Sequence, residues 1–193
     1  PTSSTYEKYA SEFKDNIFFN EPGSAIATVS VNYGRTTYNH TSKTTDSQKE
    51  STRKALLNKE FRQALNFAVD RNSYSAQTNG TDGAAVAIRN TFSPYDLQVG
   101  DKQFGKLVEE SLAKTNSSTW SNVSLADSQN GLYNEEKAKA AFAKAKESLK
   151  AEGVEFPIHL DALTIQESTA VVNRVQSLKQ SIENVLGSDN VVI

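Results

Sequence analysis

The sequence predicts an α/β fold, and three observations lead to this prediction. Apolar residues recur at the helical period in several long stretches of the 193-residue chain. Short runs rich in β-branched residues lie between these stretches, as expected for a sheet flanked by helices. Gly, Pro and Asn stand at many of the junctions, where helices and strands are expected to end.

The amino-terminal part is predicted to contain a short helix, two strands and a polar loop. Three aromatic residues recur on one helical face within residues 3–15. The apolar run 17–19 predicts a short strand, and the β-branched run 25–32 predicts a longer one. A loop rich in Ser, Thr and Asn follows over residues 34–48.

The central part is predicted to be mainly helical. Residues 49–69 carry an apolar stripe, with a break expected near Asn58. Asp70 is predicted to cap a further short helix. A second amphipathic helix is predicted over residues 102–114, and a polar loop is predicted over residues 115–131.

The carboxyl-terminal part is predicted to alternate between helix and strand. Asn134 is expected to cap a long helix that is rich in Ala, Lys and Glu and that ends at Gly153. Residues 157–163 predict a strand, and residues 166–186 predict a second long helix. A final strand is expected over residues 190–193.

The composition and the missing motifs exclude most catalytic chemistry. The chain has no Cys and two His residues, which argues against thiolate sites and His-rich metal sites. The Gly-rich phosphate loops, the nucleophile elbow and the His-Glu-x-x-His motif are all absent. We therefore predict no catalytic residues, no metal and no cofactor. The formal net charge of -2 gives no reason to expect nucleic acid as a partner.

The first and last residues suggest a piece of a longer protein. The chain begins with Pro1 rather than Met, and it stops within the strand predicted over residues 190–193. We interpret residues 1–193 as a segment of a longer protein that has lost its targeting sequence.

Five segments of the chain follow one another in the order of motifs in a known family. Residues 58–71, which read Asn-Lys-Glu-Phe-Arg-Gln-Ala-Leu-Asn-Phe-Ala-Val-Asp-Arg, resemble an Arg-Gln-Ala-Leu helix of that family. The Val-Asn pair at 31–32 precedes it, and the aromatic-Pro loop at 92–95 follows it. Residues 133–145 and 176–187 resemble the last two helices, so the match covers nearly the whole chain. In these segments the chain resembles the family 5 solute-binding proteins, the peptide-binding subunits of ABC importers.

The resemblance implies one lobe of a type II, family 5 periplasmic-binding-protein fold, excised from a two-lobed parent. The polar insertions are similar to those of Gram-positive oligopeptide-binding lipoproteins of the Ami and Ali type. The implied partners are an oligopeptide ligand, the first lobe of the same parent chain and an ABC permease. The implied location is the cell surface, outside the cytoplasm, with a lipidated amino terminus of the parent as the anchor.

Two arguments select candidate ligand-binding residues. Ligands gather beyond the carboxyl ends of strands in open α/β sheets, and the family contacts its ligand from the matching positions. The candidates lie on the strand before the Arg-Gln-Ala-Leu helix, in the aromatic-Pro loop and before the last helix: Ser30, Asn32, Tyr33, Phe92, Gln166 and Ser168. Strand-end capping for the first two, and ordinary helix-start positions for the last two, remain open alternatives.

A second function remains open. The loops at 36–48 and 115–131 are rich in Ser, Thr and Asn. Such loops are also compatible with a surface interaction or adhesion module that keeps the solute-binding fold without taking part in transport.

Overall fold

The computed structural model describes residues 9–10, 12–20, 28–164 and 168–193. Within these ranges the chain is a mixture of helices and short strands, which confirms the broad fold class. In chain order, a 3-10 turn at Lys14–Asn16 is followed by α1 (Asp46–Leu57), α2 (Lys59–Ala68), α3 (Arg71–Gly83), β1 (Gln98–Val99), β2 (Lys102–Gln103), α4 (Phe104–Thr115), α5 (Ser117–Trp120), α6 (Glu135–Ala151), β3 (Ile158–His159), α7 (Thr169–Leu186) and β4 (Val191–Val192).

The chain divides into two compact units. The first unit contains Pro1–Ala27 and Arg71–Leu132, and the second contains Thr28–Asp70 and Tyr133–Ile193. The second unit is therefore assembled from two stretches that are distant in sequence. Whether the chain forms a single lobe of a larger protein stays a prediction.

The break predicted near Asn58 is confirmed. Asn58 ends α1, where its N–H bonds to the Ala55 and Lys54 carbonyls, and it also begins α2. Its side-chain oxygen accepts a hydrogen bond from Phe61 N at 2.9 Å. An amide side chain suits this position because it caps the free N–H groups of a helix start.

The core of the second unit forms where α2 packs against α6. Phe61, Phe67 and Leu149 are fully buried there. The Phe61 and Phe142 rings lie 6.3 Å apart between centroids, within the range of favourable aromatic pairs. These side chains recur at the helical period in both helices, which explains why the sequence predicted both helices correctly.

β3 and β4 form a parallel pair in the second unit, with Ile158 opposite Val191. Both residues of this pair are fully buried. The helix α7 connects the two strands, as a parallel connection requires. It ends at Gly187, whose φ of 87° is accessible to glycine at little cost.

The first unit is organised around α4 and the β1–β2 hairpin. Gly105 lies directly under the Tyr95 ring, where an added Cβ would be 1.9 Å from a ring carbon. Tyr95 also donates from its hydroxyl to Glu109 Oε2, at 3.2 Å. Glu109 Oε1 in turn accepts a hydrogen bond from Leu125 N at 2.8 Å. These contacts order the polar loop that follows α4.

The predicted strands are shorter in the structure than the sequence suggested. Residues 17–19 are not a strand, and the described part of 25–32 joins no ladder. The strand predicted over 157–163 is reduced to Ile158–His159. Among the described residues, each sheet has only two strands, so the expected sheet flanked by helices is not found there. A β-branched run becomes a strand only where a partner strand is available.

Several helix boundaries also differ from the prediction. Residues 102–103 belong to β2, so the helix begins at Phe104. The polar loop 115–131 contains α5, which Asn116 caps through its side chain. The helix predicted over 3–15 lies mostly outside the described residues. In the described part of the chain, no helix combines the length and the apolar character needed to cross a membrane.

Candidate functional site

The candidates Ser30, Asn32 and Tyr33 lie in residues 28–33 of the second unit, a segment that is neither helix nor strand. Their side chains are all exposed, and 66% of the Val29 surface is also exposed. The segment pairs with no strand that the structure describes. Strand-like recognition of a peptide requires a main chain that has no strand partner of its own.

Asn32 also has a local structural role. Its side-chain oxygen accepts a hydrogen bond from Gly34 N at 3.0 Å, which closes a turn at the end of the segment. This contact matches the capping alternative for Asn32. It occupies one acceptor and leaves the side-chain NH2 group exposed to solvent.

A buried carboxylate lies just beyond β3. The ladder of β3 and β4 extends one residue past the strand through a hydrogen bond from Leu160 N to Val192 O, at 2.8 Å. Asp161 comes next, with a side chain that is only 8% exposed. Leu163 follows and is 70% exposed. Asp161 thus marks the point where the chain leaves the interior at the carboxyl end of β3.

Four residues of the polar loop surround this carboxylate, and with it they form the Asp161 cage: Arg35, Thr41, Ser42, Lys43 and Asp161. Lys43 Nζ lies 2.7 Å from Asp161 Oδ2, and Thr41 Oγ1 donates to the same oxygen at 2.7 Å. Arg35 Nη1 also donates to Oδ2. Ser42 donates to Oδ1 from its N–H at 3.0 Å and from its hydroxyl at 3.2 Å.

The electrostatics of the cage favour the ionised carboxyl. Burial by itself acts to raise the pKa of Asp161, because it penalises the charged form. The hydrogen bonds from Lys43 and its neighbours in the cage outweigh this effect and hold the pKa well below its usual range. The Lys43 side chain is 3% exposed, so each charge of this pair is buried with an opposite charge beside it.

The aromatic ring of Tyr38 packs over the loop that forms the cage. The Arg35 guanidinium carbon lies 4.6 Å from the centre of this ring, and Lys49 Nζ lies 5.2 Å from it. Arg35 also donates to the backbone carbonyls of Thr37 and His40, at 2.7 and 2.9 Å. One arginine therefore shapes the loop and bonds the carboxylate.

Helix α1 fixes the position of β3. Thr52 Oγ1 donates to the His159 carbonyl oxygen at 2.9 Å, and Gln48 lies 3.4 Å from the His159 ring nitrogen Nε2. Gln48 also completes a capping box with Thr45 at the start of α1. The loop that carries the cage therefore runs directly into a helix that is bonded to the same strand.

The candidates before the last helix are only partly described. Gln166 lies outside the described residues. Ser168 is the residue before α7, and its carbonyl accepts a hydrogen bond from Val172 N at 3.0 Å. Its side chain makes no capping hydrogen bond, although Ser is a favoured capping residue. Ser168 thus occupies the start of the helix through its backbone carbonyl, while its hydroxyl does not cap the helix.

Phe92 belongs to the first unit and is 78% exposed. Its loop is held by neighbouring contacts: Thr91 Oγ1 donates to Ser93 O at 2.6 Å, and Tyr95 N donates to Asp127 Oδ2 at 3.0 Å. Ser30, Asn32 and Tyr33 precede the cage residue Arg35 along the chain in the second unit, whereas Phe92 belongs to the first unit.

The cage was not predicted from the sequence. Asp161 is separated by more than one hundred residues from each of its partners, so no local pattern reveals the contact. The available signal was a lone Asp directly after an apolar strand, and we interpreted it as part of that strand. The described residues contain no group of three or more His, Asp or Glu side chains arranged to hold a metal ion.

The chain is similar over its whole length to oligopeptide-binding proteins of streptococci. It is 57% identical to the oligopeptide-binding protein AmiA of Streptococcus pneumoniae. It is 55% identical to the oligopeptide-binding protein SarA of Streptococcus gordonii and 52% identical to the oligopeptide-binding protein AliA of Streptococcus pneumoniae. These relatives confirm the resemblance to oligopeptide-binding proteins of the Ami and Ali type.

The similarity covers all of this chain but only part of each relative. The alignment spans 100% of the chain and 29% of the length of each of these three proteins. No protein-family model matches the chain.

Proposed function

We propose that the protein carrying this chain is the substrate-capture subunit of an ABC importer. It binds extended oligopeptides between two lobes and delivers them to the membrane permease. Residues 1–193 supply part of the clamp, as one lobe of the type II, family 5 solute-binding fold. The observation that carries the proposal is the similarity of the whole chain to three oligopeptide-binding proteins, at 52% identity or more.

The geometry of the second unit supports peptide binding through the main chain. The segment 28–33 has exposed side chains and no partner strand among the described residues. A peptide that pairs with such a segment is held by hydrogen bonds that every amino acid can make, so many sequences are accepted. We assign contacts with the peptide to Ser30, Asn32 and Tyr33, together with Phe92, Gln166 and Ser168.

The proposal includes a location and excludes catalysis. The protein acts outside the cytoplasm, attached to the cell surface by a lipidated amino terminus, with a first lobe of the same polypeptide completing the clamp. We propose that it is not an enzyme, because the sequence contains none of the catalytic motifs that we searched for.

Calorimetric titration of the complete gene product with a random-sequence oligopeptide library tests this function. We expect saturable binding of peptides and no binding of free amino acids. Tight binding of nickel ions or of a sugar, with no peptide binding, would show that the ligand is not a peptide and would keep the chain among solute-binding proteins. Failure to bind any of these would instead favour the surface interaction module.

A further inference from the structure

The Asp161 cage joins two stretches of the second unit that we assign to peptide binding. On one side, Arg35 lies two residues after Tyr33, at the end of the segment 28–33. On the other side, Asp161 lies two residues before the exposed Leu163 and seven residues before Ser168. The hydrogen bonds of Arg35, Thr41, Ser42 and Lys43 all converge on this one carboxylate.

We infer that Asp161 is a positioning residue for the peptide site, holding the segment 28–33 in place relative to residues 160–164, which follow β3. This inference rests on the proposed function. Asp161 need not touch the peptide, because its two oxygens are already bonded to the loop. Its role is to fix the relative position of two groups of contacts that a bound peptide would use together.

The arrangement is more specific than a general stabilising ion pair. The carboxylate accepts from one backbone N–H and four side-chain groups, and all of these donors come from residues 35–43. No local turn would place residues 35–43 on the end of β3 by itself. Since the loop runs directly from the segment 28–33, moving the loop moves Tyr33 and Asn32 as well.

Glu183 offers a matched control within the same unit. It is also a partly buried carboxylate, paired with Lys179 at 2.5 Å, and it accepts a hydrogen bond from Ile193 N at 2.8 Å. It lies on the last turns of α7 near β4, away from the candidate residues along the chain. Glu183→Gln therefore removes a partly buried carboxylate charge without releasing the loop.

The experiment compares Asp161→Asn and Glu183→Gln in the complete gene product. The first readout is the affinity for a peptide recovered from the random-sequence library, measured by calorimetry. The second is the distance between spin labels on cysteines introduced at the exposed positions Val31 and Leu163. Residues 1–193 contain no native Cys, so this part of the protein carries no competing label site.

We expect Asp161→Asn to weaken peptide binding about tenfold or more and to broaden the label distance distribution. Glu183→Gln should leave both unchanged. Unchanged distances in a folded Asp161→Asn protein would overturn the inference, and so would a broadened distribution with unchanged affinity. If Asp161→Asn does not fold, Lys43→Met combined with Asp161→Asn removes both buried charges and is measured in the same way.

The two proposals fail differently. If the unmodified protein binds no peptide, the proposed function is wrong, whatever the label distances are. If the unmodified protein binds peptide and both variants bind it equally well, the proposed function stands and the positioning role of Asp161 is wrong.

Discussion

Lys43 and Asp161 illustrate, at the scale of single residues, how a charged pair is kept inside a small unit. Each side chain is less than one-tenth exposed. Burying one charge alone is costly, but here the opposite charge and several hydrogen bonds compensate for the lost water. Removing only one partner leaves the other buried and unpaired, so we expect single substitutions in this pair to be more harmful than a double substitution.

The depressed pKa of Asp161 gives a prediction about acid stability. The pKa is lower in the folded protein than in the unfolded chain, where it is about 3.9. The carboxylate therefore contributes its full stabilisation above that value and loses it as the pH falls toward the folded-state pKa. At neutral pH we expect Asp161→Asn to lower the free energy of unfolding by about 3 kcal/mol.

Urea unfolding between about pH 7 and pH 2 measures this effect. The difference in unfolding free energy between the unmodified protein and Asp161→Asn should shrink below about pH 4. Asp46→Asn serves as a control because the Asp46 side chain is 96% exposed and its pair with Lys49 is screened by solvent. A difference for Asp161→Asn that stays constant down to pH 2 would contradict the proposed ionisation.

At the scale of secondary structure, single Asn residues separate neighbouring helices. Asn58 lies between α1 and α2, and Asn116 lies between α4 and α5. In each case the side-chain oxygen accepts a hydrogen bond from the third residue after it. One residue thereby ends one helix and begins the next without an intervening loop.

Asn58 provides a test of this arrangement. We expect Asn58→Ala to lower the free energy of unfolding by about 1 kcal/mol, because the first turn of α2 loses its cap. Asn58→Asp keeps an oxygen at the same position and should have a much smaller effect, although it loses the bond from Nδ2 to Ser148 Oγ. Thermal unfolding followed by circular dichroism gives both values. Equal losses for the two variants would assign the effect to the Ser148 contact.

The helices were easier to predict than the strands, for a physical reason. A helix forms its backbone hydrogen bonds within one stretch, so the stripe in residues 49–69 and the cap at Asn134 were sufficient to predict α1, α2 and α6. A strand needs a partner elsewhere in the chain, which a local run such as 17–19 does not reveal. The same reason hid the Asp161 cage, whose partners are distant in sequence.

At the scale of the whole chain, the central stretch Arg71–Leu132 interrupts the second unit. The two ends of the interruption are close together in the second unit, since Asn134 N donates to Phe67 O at 2.9 Å. Within the first unit, Arg71 N donates a hydrogen bond to Asn130 Oδ1 at 3.1 Å, so the two ends of the stretch 71–132 also lie close to each other. Each unit is thus built from two separate stretches of the chain.

We therefore expect the second unit to fold when residues 71–132 are removed. Replacing residues 71–132 by a short Gly-Ser linker should keep the helical circular dichroism signal of α1, α2, α6 and α7, because the linker spans a short distance. A cooperative thermal transition is the expected result. Loss of that transition would contradict the division into units.

The pairing of α2 with α6 also determines when the second unit can form during synthesis. Helix α2 leaves the ribosome first, and its apolar face has no partner until residues 69–134 have been added and α6 follows. At roughly 5–20 residues per second, this interval lasts on the order of several seconds. During that time Phe61 and Phe67 lack the α6 side chains against which they pack, because residues 71–132 are still being added. The apolar face of α2 therefore stays without its native partner until α6 is made.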